Sequence, residues 1–162
     1  MLPQSTLDQS AALLADLQAR GLWIATAESC TGGLVAAALT AIAGSSACVH
    51  GGFVTYSNGQ KMQMLGVPAT VLESHGAVSE VCARAMAEGA LRATGADVAV
   101  STTGIAGPGG ATPDKPVGLV FVAAARRGGE TRVLRFVFPG DRAAVRAETV
   151  VAALNLARAS IA

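Results

Sequence analysis

Three short apolar runs, residues 22–27, 53–57 and 97–102, each end at a polar loop, and segments with helical spacing lie around them. β-compatible runs of this length, alternating with helix-period spacing, belong to a sheet covered by helices. Residues 6–20 set Leu7, Ala11, Leu14 and Leu17 on one helical stripe, with Thr6 and Gln9 as a capping box and Gly21 as the stop. The first strand, 22–27, runs into Glu28-Ser29-Cys30-Thr31-Gly32-Gly33 and then an Ala-rich helix over 34–43. The second strand, 53–57, is broken by Asn58-Gly59, and a short helix follows over 60–65. Residues 79–93 carry helical spacing through Val81, Ala85, Glu88 and Leu91, ahead of the third strand.

The runs 117–125 and 131–138 flank Arg126-Arg127-Gly128-Gly129-Glu130, a pattern that predicts an antiparallel hairpin. Asp141 caps a last helix starting at Arg142, with Val145, Thr149, Ala152 and Leu156 facing inward. The expected fold is α/β, a three-layer α/β/α sandwich around one mixed β-sheet, with residues 1–162 forming a single domain. In such open sheets the ligand crevice lies beyond the carboxyl ends of the strands, where all three polar loops begin.

Composition narrows the function. Formal net charge is +1, and no segment gathers enough Lys or Arg to track phosphates, so nucleic acid is not an expected partner. The longest apolar stretch, residues 34–43, is too short to span a bilayer, and no basic-then-apolar leader opens the chain, so the expected location is cytoplasmic, with no membrane partner. Only 14% of residues are charged, a lean surface that predicts a homo-oligomer. Cys30, Cys48 and Cys82 are odd in number and widely spaced, which argues for free thiols. His50 and His75 lack neighbours at ligand spacing, so no metal is expected.

The turn from Glu28 to Gly33 places the Ser29 hydroxyl between a strand and a helix, where unpaired N–H groups favour negative charge. Attack by Ser29 on an amide would create an oxyanion that such donors stabilise, with Gly32 and Gly33 admitting substrate close to the backbone. Ser29 can equally be a plain helix cap. A serine nucleophile needs a base; Lys61, beyond the second strand, is a candidate if burial lowers its pKa, as are His50 and His75. Lys61 can also be an ordinary solvated charge. Cys30 shares the turn and is a rival nucleophile, its pKa expected to be depressed by the helix N-terminus, or else a small buried residue.

The loop Thr103-Gly104-Ile105-Ala106-Gly107-Pro108-Gly109-Gly110 has the glycines for a backbone nest that receives a phosphate, though it fits neither the P-loop nor the dinucleotide fingerprint and can be a plain connection. Lys115, between Pro113 and Pro116, is either aimed at an anionic ligand or exposed. Arg142 and Arg146 share a helical face, and pair either with a substrate phosphate or with acids such as Asp141 and Glu148.

The blocks Glu28-Ser29-Cys30-Thr31-Gly32-Gly33, Gly51-Gly52-Phe53-Val54-Thr55-Tyr56-Ser57-Asn58 with Lys61, Gly104-Ile105-Ala106-Gly107-Pro108-Gly109-Gly110 and Lys115-Pro116-Val117-Gly118 together resemble the CinA C-terminal domain family. The resemblance implies a stand-alone nicotinamide-nucleotide amidase, which converts nicotinamide mononucleotide and water to nicotinate mononucleotide and ammonia without a cofactor. It implies Ser29 as nucleophile, Lys61 as base and Tyr56 as a proton relay. Cys30, Thr31, Gly32, Gly33, Thr103, Gly104, Gly107, Gly109, Lys115 and Arg142 are the expected substrate-binding residues. Gly59-Gln60 departs from the family's helix-favouring, often acidic residues, which predicts extra backbone freedom beside Lys61. The competing readings are a nucleotide-sensing or partner-binding module without turnover, and an amidase for another small amide.

Overall fold

A computed structural model describes residues 1–162. The elements are α1 (Gln4–Ala19), β1 (Ile24–Glu28), α2 (Leu34–Thr40), a 3-10 turn (Ser45–Ala47), β2 (Val49–Val54), α3 (Asn58–Leu65), α4 (Ala69–His75), α5 (Glu80–Thr94), β3 (Val98–Gly104), β4 (Leu119–Arg126), β5 (Arg132–Val137) and α6 (Arg142–Ser160). The strands form one sheet in the order β2-β1-β3-β4-β5. β1 runs parallel to β2 and β3, whereas β3–β4 and β4–β5 are antiparallel, so the sheet is mixed and the predicted hairpin is present.

Side-chain alternation gives the sheet two unlike faces. On one, Ile24, Val98, Val100, Val120 and Val122 pack with leucines of α1 and with Val35, Val145 and Leu154 of α2 and α6. On the other, Ala25, Ala27 and Ala99 meet Cys82, Met86 and Ala90 of α5 and Leu65 of α3, while Ala123 and Ala125 meet Ala83 and Ala87. Small residues on both sides let α5 lie close to the sheet, and helices cover both faces of the three-layer sandwich. No helix is long and apolar enough to cross a membrane.

Several local expectations are corrected. The capping box at Thr6 does not form: α1 starts at Gln4 behind Pro3, whose carbonyl accepts the Thr6 and Leu7 N–H groups, and Thr6 is buried inside the helix. Gly21 does end α1, at φ 64, where its N–H donates to Gln18 O and that of Leu22 to Leu17 O. β2 ends at Val54 rather than residue 57, because Ser57 is the N-cap of α3, its hydroxyl accepting from Gln60 N–H at 3.2 Å. Asn58 and Gly59 therefore belong to the helix, which starts at Asn58 rather than residue 60. In α5 the buried face is Cys82, Ala83, Met86, Ala87, Gly89 and Ala90, not the stripe through Val81 and Leu91. The alanine-lined sheet selects that helix face by fit, which hydrophobicity alone does not reveal. Helix α4 was not anticipated.

Gly89 marks the closest approach of α5 to α3. A Cβ there would fall on the carbonyl oxygen of Leu65, which ends the helix that carries Lys61. Glycine in an exposed helix interior costs about 1 kcal/mol relative to alanine. Gly89→Ala is nevertheless expected to destabilise this protein by about 1–3 kcal/mol through overpacking, measured as a lowered midpoint in urea.

Candidate active site

The parallel strands bring three loops to one place. Glu28 lies opposite both Val54 and Thr102, so β1 and β2 end level with Thr102, and β3 runs two residues further against β4. Thr55 N–H donates to Glu28 O at 2.8 Å, and Ser29 N–H to Thr102 O at 3.0 Å. Beyond these bonds, residues 29 and 55 leave the sheet beside Thr103, which stays paired with β4. Here Ser29, Cys30, Tyr56, Lys61, Thr103, Gly104 and Arg142 line a cavity of about 230 Å³, joined by Asn58, Ala77, Val78 and Ala106. A wider cleft of about 700 Å³ shares Ala106 and Arg142 with it and adds Arg146.

Lys61 is only 1% exposed, held by a regular turn of α3 despite Gly59. Its Nζ lies 3.0 Å from Ser29 Oγ, 2.8 Å from Thr55 O and 3.2 Å from Tyr56 O. It forms no ion pair with a carboxylate. Burial pushes its pKa below the usual lysine value of 10.5. Nζ stands as donor to all three oxygens; a neutral amine in the same place would keep its two N–H bonds to the carbonyls and accept from the Ser29 hydroxyl.

The nucleophile turn is built around Glu28, which is 1% exposed. Its carboxylate accepts the Thr31 hydroxyl at 2.5 Å and the N–H groups of Gly33, Val35 and Ala36 at 2.9–3.1 Å. It thereby caps α2 from the end of β1, which sequence reading had not assigned. Gly32 N–H bonds to Ser29 O and Leu34 N–H to Thr31 O. The helix N-terminus is thus largely occupied, and only the Cys30 and Thr31 amides of the turn have no protein acceptor.

Other expected residues take different places. Thr31 is fully buried and spends its hydroxyl on Glu28 and on Thr102 Oγ1 at 2.7 Å. Gly32 and Gly33, at φ 60 and 102, shape the turn and do not line the cavity. Cys30 is 5% exposed, and burial pushes its thiol up to about 12, the reverse of the expected depression. Thr103 lines the cavity but donates to Ala77 O at 2.8 Å, tying β3 to the loop before α5. Gly104 lines it too, and a Cβ there would strike β4 at Val120. Gly107 contributes its carbonyl to Arg142 at 2.9 Å; Gly109 sits in open space away from the cavity. Lys115 is neither free nor aimed at the cavity: its Nζ donates to His75 O at 2.6 Å, capping the carboxyl end of α4.

Tyr56 joins the site by its main chain. Its side chain is 61% exposed, and its hydroxyl accepts from Arg142 Nη2 at 2.9 Å, with no hydrogen bond to Ser29 or Lys61. Arg142 and Arg146 pair with neither Asp141 nor Glu148; Asp141 instead N-caps α6 through Ala144 N–H. Arg146 Nε and Nη2 donate to Cys30 O and Thr31 O at 3.1 and 3.0 Å. His50 stacks on Trp23, and neither histidine lines the cavity.

Fold and site together define an α/β domain with a serine and a buried lysine at the carboxyl end of its sheet. The CinA C-terminal domain model matches residues 7–161, and the chain belongs to that family. It is 55% identical over 152 residues to a CinA-like protein of Citrifermentans bemidjiense, covering 94% of this chain and 36% of that protein. Another relative, the nicotinamide-nucleotide amidohydrolase PncC of Enterobacter agglomerans, is 52% identical over 143 residues, 88% of this chain and 87% of that one. The chain spans about a third of the length of most curated relatives it matches. The crystal structure of competence/damage inducible protein CihA from Agrobacterium tumefaciens superposes with a TM-score of 0.96 at 46% identity, covering 98% and 97% of the two chains.

Two outcomes follow from this geometry. A lysine whose folded pKa is lowered binds fewer protons in the folded than in the unfolded state. Stability should therefore rise with pH from Lys61's folded pKa up to 10.5, and Lys61→Met should abolish that rise and gain stability on its acid side, read from urea midpoints across pH. Iodoacetamide at pH 8 should leave Cys30 unmodified in the folded protein, read by peptide mass spectrometry.

Proposed function

We propose that this protein is a nicotinamide-nucleotide amidase, hydrolysing the carboxamide of nicotinamide mononucleotide through Ser29 as nucleophile and Lys61 as base. The observation that carries this reading is the buried Lys61 amine, bound to two carbonyls and facing the Ser29 hydroxyl at 3.0 Å without a counter-ion. The PncC relative, whose length this chain nearly matches, supports the choice of substrate.

In the first half-reaction the Ser29 proton passes to the Lys61 lone pair as Oγ bonds to the carboxamide carbon. The carbonyl electrons move onto oxygen, and the N–H of Cys30, the residue of the turn that has a free amide and lines the cavity, receives that oxyanion. Collapse breaks the C–N bond, the departing nitrogen takes the proton from Lys61, and ammonia leaves an acyl ester on Ser29. Water, losing a proton to Lys61, attacks the ester; that proton then returns to Ser29 Oγ as the carboxylic acid departs, and the acid gives its remaining proton to solvent to become the carboxylate.

The small cavity takes the nicotinamide ring, and the adjoining cleft the ribose phosphate. Arg142 stands where the two meet and has only neutral partners, the Gly107 carbonyl and the Tyr56 hydroxyl, so its charge is available to a phosphate. Tyr56 orients that arginine and supplies a carbonyl to Lys61. The relay of protons through its phenol would require the hydroxyl to exchange Arg142 for Ser29 or Lys61.

Purified protein is expected to release ammonia from nicotinamide mononucleotide in metal-free buffer, and Ser29→Ala and Lys61→Met to release none. Arg142→Ala should raise KM for the mononucleotide about ten- to a hundredfold, the worth of a charge-assisted bond, and leave the phosphate-free riboside unaffected. Saturable binding of the nucleotide without ammonia would identify a non-catalytic module instead, and turnover of other amides only would reassign the substrate.

A further inference from the structure

Building on the amidase reading, we propose that Arg146 is a positioning residue that polarises the free amides of the turn from behind, that of Cys30 being the one that meets the oxyanion, through two hydrogen-bond chains that begin at its guanidinium. A peptide unit accepts at its carbonyl and donates at the N–H of the following residue. Polarisation entering at the oxygen therefore strengthens the donor at the far end.

The first chain has one link. Arg146 Nε donates to Cys30 O at 3.1 Å, and the N–H of that same peptide unit belongs to Thr31. The second chain has two. Arg146 Nη2 donates to Thr31 O at 3.0 Å; the N–H of that unit, on Gly32, donates to Ser29 O at 3.0 Å; and the N–H of the Ser29–Cys30 unit belongs to Cys30. Both chains end on amides that the turn leaves without a protein acceptor; Thr31 is fully buried, and Cys30 lines the cavity, so the second chain is the one that leads to substrate. The remaining donors at this end of α2, those of Gly33, Val35 and Ala36, are held by Glu28.

Two further features fit this arrangement. Gly32 adopts φ 60, a backbone that glycine favours, and this shapes the turn on which the guanidinium lies. Arg146 has no carboxylate partner, which leaves its full charge directed at the two carbonyls. The charge also offsets a local cost: the buried Glu28 carboxylate, next to the nucleophile in sequence, opposes any negative charge forming on substrate. The Cys30 thiol, in the same turn, feels both fields, raised by Glu28 and lowered by Arg146.

The test compares ammonia release from nicotinamide mononucleotide by the native protein, Arg146→Lys and Arg146→Ala. It also measures the affinity of each for the product, nicotinate mononucleotide, and their thermal unfolding. Removing an oxyanion donor outright costs about 10²–10³ in kcat, so weakening one from behind is expected to lower kcat about tenfold in both variants. KM and product affinity should stay within about twofold of native, because ground-state binding does not use the oxyanion. Millimolar guanidinium ion should restore part of the activity of Arg146→Ala and none to Ser29→Ala. Arg146→Lys carries the test if the alanine variant unfolds, since it keeps the stem and the charge but loses the two-pronged contact. Native kcat in a folded Arg146→Lys protein would overturn the proposal, and a raised KM at native kcat would assign Arg146 to the phosphate instead. Failure of the native protein to release ammonia would reject the amidase reading itself, and with it the role given to Arg146.

Discussion

Burying a lysine amine where no carboxylate can reach it is the constraint around which this domain is arranged. An ammonium group removed from water with only dipoles for company is strongly disfavoured, so the site favours the neutral amine. Two carbonyls on the chain leaving β2 satisfy its N–H bonds, which holds the lone pair toward Ser29. That geometry requires α3 to start immediately after β2 and to press its inner face onto α5. The Ser57 cap, the Gly66 stop at φ 66 and the gap left by Gly89 provide this. Stability and chemistry thus make opposite demands on the position of Lys61.

The nucleophile turn shows a comparable division of work. A helix N-terminus is a general receptor for anions, and a free one beside Ser29 would offer several donors to any negative group. Glu28 occupies most of them from within, so the turn is rigid and its remaining donors are few. Thr31 and Thr102 complete the buried network that fixes the carboxylate. Arg146, reaching in from α6, contacts the opposite side of the same turn. A helix distant in sequence therefore shapes the surroundings of Ser29.

Strand-then-loop patterning marked Ser29 and Lys61 as candidates just past the ends of two strands, the family resemblance chose them over a plain cap and a solvated charge, and the structure sets their side chains 3.0 Å apart. Sequence reasoning went astray where one residue type serves two physical roles. Cys30 sits at a helix start, which lowers a thiol pKa in water, but burial outweighs that field and raises it. Gly32 and Gly33 resemble a ligand-approach motif yet are needed for left-handed backbone. Lys115 had the look of a ligand-seeking cation, and caps α4 instead. In α5 the larger apolar residues suggested the inner face, whereas the alanine face is the one that fits the alanine side of the sheet.

By itself the sequence determined the alternation of helices and strands, the hairpin over 117–138, the Asp141 cap and the loops on which chemistry would lie, because each depends on residues within a few positions of one another. Only the tertiary structure decided the burial of Lys61, the capping by Glu28, the partners of both arginines and the separation of cavity-lining residues from turn-shaping ones. These depend on which strands lie side by side and how level their ends are. The register of β1 against β2 and β3 brings residues 29, 55 and 103 together, and no local pattern encodes a register between segments so far apart in the chain.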